Sequence, residues 1–135
     1  MPTVGVFAAI FDQQGRILCV KQNYGTLSWT TPGGRMEAGE SPNSALEREI
    51  HEETGYRARV TGLVGVYSAP FKDDLVLMMT AEILGRDHWQ SNGEIAQAGF
   101  FAHDALPEPM VSRVRRRILD AFEGRSAVLH VFEAS

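Results

Sequence analysis

A single cysteine, Cys19, is all the thiol in this chain, so no internal disulfide can form. It falls in the apolar run Ile17-Leu18-Cys19-Val20, which reads as a buried strand position rather than a nucleophile. No apolar stretch approaches the roughly 18 residues of a transmembrane span, so no membrane partner is expected. The start, Met1-Pro2-Thr3-Val4, lacks the basic segment and cleavage site of a secretory signal, and the cytoplasm is the expected compartment. Positive charge is not in surplus: 13 Lys and Arg face 17 Asp and Glu, a net charge of −4. That balance argues against broad nucleic-acid or membrane-surface binding, while leaving room for a local basic pocket. His51, His88, His103 and His130 are scattered, without the spacing of a zinc site. No repeat, low-complexity tract or linker breaks the 135 residues, so one domain over 1–135 is expected.

Carboxylates, by contrast, are concentrated. Glu49, Glu52 and Glu53 stand at i, i+3 and i+4, which share one helical face. Three like charges within roughly a 100° arc repel one another and weaken a bare helix. A divalent cation relieves the conflict, because Mg²⁺ takes oxygen ligands from carboxylates, phosphates and water. The competing reading is a solvated acidic face. Ser41-Pro42 predicts an N-cap followed by proline at the first helical position. Gly55 predicts a left-handed C-terminal cap. The helix should therefore run from Pro42 to Thr54, with Ala45, Leu46, Ile50 and Thr54 as its apolar stripe. Before it, Pro32-Gly33-Gly34 reads as a loop whose backbone can approach a metal closely.

The remaining pattern alternates strands with one further helix. Val4 to Phe11 and Arg16 to Gln22 read as a hairpin around the turn Asp12-Gln13-Gln14-Gly15. Trp29 to Pro32, Arg57 to Ser68, Asp74 to Leu84 and Ala98 to Ala102 read as strands, and Gly85 to Gly93 as a loop. A helix is predicted from Val111 to Phe122, with Val111, Val114, Ile118 and Phe122 inward. Arg113, Arg115, Arg116 and Arg117 could bind phosphate, but they mostly avoid that stripe and read rather as a solvated face. Ala127 to Phe132 is a candidate edge strand. This mixture fits an α/β sandwich with a sheet covered on both sides.

The run from Gly34 to Tyr56 resembles the Nudix box, G-x5-E-x7-R-E-U-x-E-E-x-G-U with U aliphatic. Gly34, Glu40, Arg48, Glu49, Ile50, Glu52, Glu53 and Gly55 match; Tyr56 replaces the final aliphatic residue. A chance match has a probability on the order of 10⁻⁸ per start point at ordinary residue usage. The resemblance implies a Nudix-type α/β/α sandwich, a mixed sheet with the box helix on one side and the C-terminal helix on the other. It also implies a pyrophosphatase acting on a nucleoside diphosphate linked to another group. Mg²⁺ or Mn²⁺ would be held by Glu49 and Glu53, with Glu52 assisting and the Gly33 carbonyl completing a site. Glu52 or Glu94 would accept the proton of an attacking water. Glu94 loosely matches an acidic loop position that in the family adds a metal ligand or the general base; the other reading is an exposed loop carboxylate. Arg48 would hold a box glutamate or touch phosphate, and Glu40 would support the site.

Arg35, Tyr24 and Phe71 are candidate substrate contacts, the two aromatics by stacking on a base; a partly buried loop anchor is the alternative for both. Trp29 is expected to pack beneath the glycine segment. Pro70, 15 residues beyond Gly55, is spaced like a proline of ADP-ribose-cleaving members and leans the substrate toward ADP-ribose-like compounds or nucleotide sugars. A nucleoside triphosphate is the nearest alternative, and RNA 5′-end processing sits poorly with the acidic chain. A non-catalytic nucleotide sensor of this family is the non-enzyme alternative, disfavoured by the intact glutamates. Since Nudix proteins often dimerise, a homodimer is among the options.

Overall fold

The computed structural model describes residues 2–134. Strands β1 (Thr3–Ala9), β2 (Ile17–Gln22), β3 (Trp29–Thr30) and β4 (Gly33–Arg35) precede helix α1 (Pro42–Thr54). Then follow β5 (Tyr56–Ala69), a 3-10 turn (Pro70–Lys72), β6 (Asp74–Arg86), β7 (Ile95–Phe101), α2 (Ser112–Phe122) and β8 (Val128–Val131). A five-stranded mixed sheet has the order β4-β1-β6-β5-β8, in which β1 pairs parallel with β6, and β8 parallel with β5. A second, antiparallel sheet has the order β3-β2-β7.

Period-two alternation on β1 sets up two cores. Val6 and Ala8 pack with Ala45, Leu46 and Ile50 of α1, whereas Phe7 and Ala9 face the cluster containing Ile118 and Ala121 of α2. The mixed sheet is thus covered by one helix on each face, as expected. Strand β2 joins both cores, Leu18 on the α1 side and Ile17 and Cys19 on the α2 side.

That double burial alters the opening hairpin. Only its tip is paired: Asp12 N–H donates to the Arg16 carbonyl and Leu18 N–H to the Ile10 carbonyl, both at 2.9 Å. Beyond the tip β1 and β2 diverge into different sheets. With four consecutive fully buried apolar residues, β2 contributes to both cores from a sheet of its own.

The helix caps agree with the sequence. Ser41 Oγ accepts from Ser44 N–H at 3.1 Å, and Gly55 closes α1 at φ 77°, its N–H donating to the His51 carbonyl. Pro32-Gly33-Gly34 departs from expectation: Gly33–Arg35 is a strand, paired to β1 with Phe7 opposite Gly33 and Val6 opposite Gly34. Neither glycine is in the left-handed region. Their missing side chains serve space, since a Cβ on Gly33 would lie 2.1 Å from the Val6 carbonyl oxygen.

The second helix starts one residue later than predicted, and Val111, at its N-cap, is exposed rather than inward. Arg117, expected in solvent, is buried. It lies one residue, about 100°, from Ile118 and so borders the apolar stripe. Trp29 is buried edge-on against Phe101, as expected of a packing residue. No helix among the described residues is long and apolar enough to cross a membrane.

Truncating Ile50, fully buried under the sheet, should cost about 2–5 kcal/mol in an Ile50→Ala variant. Leu119→Ala, at a partly exposed site on α2, should stay within about 0.5 kcal/mol. Urea unfolding midpoints check both; equal losses would contradict this placement of the core.

Candidate active site

Helix α1 brings Glu49 and Glu53 to β4. Glu53 is buried, and its Oε1 accepts the Gly33 N–H at 3.1 Å. The Glu49 carboxyl lies where a Gly34 side chain would be: a Cβ there would approach its carbon at 2.7 Å and both its oxygens at 2.8 Å. The two carboxyls are near enough for each to act on the other's protonation. Burial, then the neighbouring Glu49, pushes Glu53 far above the ordinary carboxyl range, while burial also raises Glu49. Two carboxyls this close and this dry retain a shared proton.

Arg48 fixes the outer side of the pair. Its guanidinium grips Glu40 with two bonds, Nε to Oε2 at 2.7 Å and Nη2 to Oε1 at 2.9 Å, and donates from Nη1 to Glu49 Oε1 at 2.9 Å. This fork geometry is the strong form of an ion pair. The bond from Arg48 holds the Glu40 carboxyl down at about 2. The Glu37 N–H donates to Glu40 Oε1 at 2.9 Å, tying the turn before α1 to the same cluster. Glu52 leans the other way: its carboxylate is half exposed and 3.3 Å from Arg48 Nη1. Among the described residues no three side chains converge as a ready-made metal cluster.

A cavity of about 100 Å³ opens beside Glu53, lined also by Phe7, Tyr24, Thr30, Gly33, Gly34 and Glu94. Glu94 belongs to the segment 87–94 between β6 and β7. Its N–H donates to Asn92 Oδ1 at 2.8 Å, and its carbonyl accepts from Asn23 N–H at 2.8 Å. At the other end of the segment, Asp87 N–H donates to the Gly55 carbonyl at 2.8 Å and Trp89 Nε1 to the Glu52 carbonyl at 3.3 Å. The loop is therefore fastened to the C-terminus of α1, and it carries Glu94 to the lining of the Glu53 cavity. The Oγ1 of Thr30, which also lines this cavity, is buried without a hydrogen-bond partner among the described residues.

A second cavity of about 230 Å³ adjoins the first through Phe7 and Gly34, and is lined further by Thr3, Gly5, Arg35, Lys72, Asp74 and Val76. Of the substrate candidates, Tyr24 borders the first cavity and Arg35 the second. Phe71 borders neither; its ring lies under the Arg113 guanidinium at 5.6 Å. Phe7, shared by both cavities, is not among the residues the sequence singles out, and Arg117, expected on a solvated face, instead stacks its guanidinium on Phe7 at 4.9 Å. Alternation along β1 was the available signal for Phe7.

The NUDIX domain model matches residues 1–122. A Bacillus subtilis protein provisionally named an 8-oxo-dGTP diphosphatase is 35% identical over 128 residues, covering 95% of this chain and 85% of that one. A Methanocaldococcus jannaschii protein named ADP-ribose pyrophosphatase is 31% identical, covering 79% and 66%. The crystal structure of a UDP-X diphosphatase superposes with a TM-score of 0.81 at 28% identity, over 96% of this chain and 67% of that one.

The raised Glu53 carboxyl has a stability signature. A folded-state value above the unfolded 4.5 stabilises the protein below 4.5, and that contribution is lost as pH climbs toward about 9. In chelator, Glu53→Gln should match wild type under acid conditions and exceed it at neutral pH, by on the order of 1 kcal/mol. Parallel stability curves for the two proteins would refute the shared-proton pair.

Proposed function

We propose that this chain, which belongs to the Nudix family of pyrophosphate-bond hydrolases, cleaves a nucleoside diphosphate linked to a further group, with Mg²⁺ or Mn²⁺. The observation that carries this reading is the Glu49–Glu53 pair pressed against Gly33 and Gly34 beside a cavity that Glu94 also lines. The donor set fits a hard cation. It is all oxygen, its two carboxyls share a proton a cation would displace, and the Gly34 cradle leaves Glu49 room that a Cβ would fill. Glu49, Glu53 and the Gly33 backbone would hold the ion, which supplies charge neutralisation and acidifies bound water.

The chain's own residues then divide the work. Arg48 orients Glu49 and keeps Glu40 ionised. Arg35, beside Gly34 and exposed, offers a cation to the diphosphate. Glu94 is the better base: it faces the Glu53 cavity, whereas Glu52 is turned to Arg48. The ADP-ribose-like or nucleotide-sugar reading draws on the Pro70 spacing and on the archaeal relative. A nucleoside triphosphate is the second reading, favoured by the B. subtilis relative. The buried, unpaired Cys19 supports a cytoplasmic setting.

Chelator should abolish turnover of such nucleotides and added Mg²⁺ restore it; full activity without metal would end this reading. Gly34→Ala should displace Glu49 and weaken Mn²⁺ binding by about tenfold or more, measured by calorimetry. With Mg²⁺ held equal, Glu94→Gln should lower kcat by about a hundredfold or more with little change in KM. If Glu52→Gln produces that loss and Glu94→Gln does not, the base lies on α1.

A further inference from the structure

Glu94 lines the Glu53 cavity from an exposed loop. The carboxyls of Glu49 and Glu53 already stand at that site, and like charges repel. Repulsion favours a Glu94 turned out to solvent, so its place at the cavity depends on how firmly its main chain is held.

The strands bring it there through a bulge. Lys21 of β2 stands opposite Gln97 of β7, but the next residue, Gln22, stands opposite Ile95. Ala96 is therefore the extra residue, and such a bulge bends its strand and re-aims the side chains beyond it. Ile95 is buried just past the bulge and anchors the end of the loop. One position further along, Asn23 N–H donates to the Glu94 carbonyl at 2.8 Å. Asn23 is itself set by the turn toward β3, where Gln22 N–H donates to the Ser28 carbonyl at 2.9 Å.

The Asn23 side chain adds a second hold. Its Nδ2 donates to the Asn92 carbonyl at 2.8 Å. Asn92 braces the turn from the other end. Its Oδ1 accepts from Glu94 N–H and Ile95 N–H, each at 2.8 Å, and its own N–H donates to the Ile95 carbonyl at 2.9 Å. Both main-chain polar groups of Glu94 are thus engaged, the N–H by Asn92 and the carbonyl by Asn23. The two amides use opposite halves of the same group, an oxygen with two lone pairs at Asn92 and an N–H donor at Asn23. Neither adds charge beside the carboxylates. Gly93, between them, is not what shapes the turn: its φ is not left-handed, and a Cβ there would meet nothing within 4 Å.

We propose that Asn23 and Asn92 are positioning residues of the hydrolase, which together brace the turn that holds the Glu94 carboxylate at the Glu53 cavity. This deepens the reading of Glu94 as the base and rests on it.

One isosteric change made at two places tests the brace. Asn92→Asp keeps the accepting oxygen, whereas Asn23→Asp removes the donor; both add one negative charge. Turnover is measured with Mg²⁺ on whichever of ADP-ribose, UDP-glucose and dGTP is cleaved fastest. Asn23→Asp should lower kcat by about tenfold or more with little change in KM, while Asn92→Asp and Gly93→Ala stay within about threefold of wild type. Asn23→Ala should repeat the loss if Asn23→Asp fails to fold. In a Glu94→Gln background, Asn23→Asp should cost no more than about a further twofold, because both changes remove the same contribution. Amide hydrogen exchange in the metal-free protein gives a readout independent of turnover. Corrected for intrinsic rates, Glu94 and Ile95 should exchange about tenfold faster in Asn23→Asp than in Asn92→Asp. Equal kcat losses in the two aspartate variants would assign the effect to charge and overturn the brace, as would a full further loss in the Glu94→Gln background. If none of the three nucleotides is cleaved, or Glu94→Gln turns over normally, the hydrolase reading or its choice of base fails on its own. The exchange rates then still decide whether the two asparagines hold Glu94.

Discussion

A side chain at position 34 would occupy the space now filled by the Glu49 carboxyl. The close approach of α1 to β4 is the constraint from which the rest of the site follows. It permits Glu53 to take the Gly33 N–H, presses the two carboxyls together and leaves them dry enough to hold a proton between them. The same approach requires something to restrain the helix face where negative charge accumulates. Arg48 does so, with one guanidinium shared by Glu40, Glu49 and, more loosely, Glu52. The charge cluster is therefore organised rather than merely tolerated.

The sheet supplies the complementary surface. Because β1 lies between β4 and β6 in the mixed sheet, its two faces serve different ends. Val6 and Ala8 anchor α1 from below, fixing the height of the glutamates. On the other face Phe7 packs toward α2 and borders both cavities. A strand of seven residues thus connects helix placement to cavity shape, and Arg117 reaches Phe7 from α2.

Local chemistry was legible in the sequence. Ser41, Pro42 and Gly55 bound α1 where they were expected to, since caps depend on neighbouring backbone alone. The family resemblance and the two-sided sandwich were legible as well. Features set by distant contacts were not. Gly33 and Gly34 looked like a loop because glycine advertises conformational freedom, but here the absent atom matters more than φ and ψ. The hairpin splits because β2 is needed by two cores. Periodicity sends every arginine outward, yet the aromatic face of Phe7 gives Arg117 an inward contact that an apolar count does not see. The outward turn of Glu52 accompanies its contact with Arg48, and the route of the loop carrying Glu94 depends on bonds to Glu52 and Asn23, both far from it in sequence.

Cys19 sits at the meeting of the two sheets and the α2 core, fully buried, with burial pushing its thiol up to about 12. Thiolate is the reactive form, so the native protein keeps its single thiol out of reach of oxidants and alkylating reagents. Its chemistry begins only when β2 is exposed. The chain therefore carries an internal clock for opening: the rate at which Cys19 takes up a label counts how often the centre of the molecule comes apart.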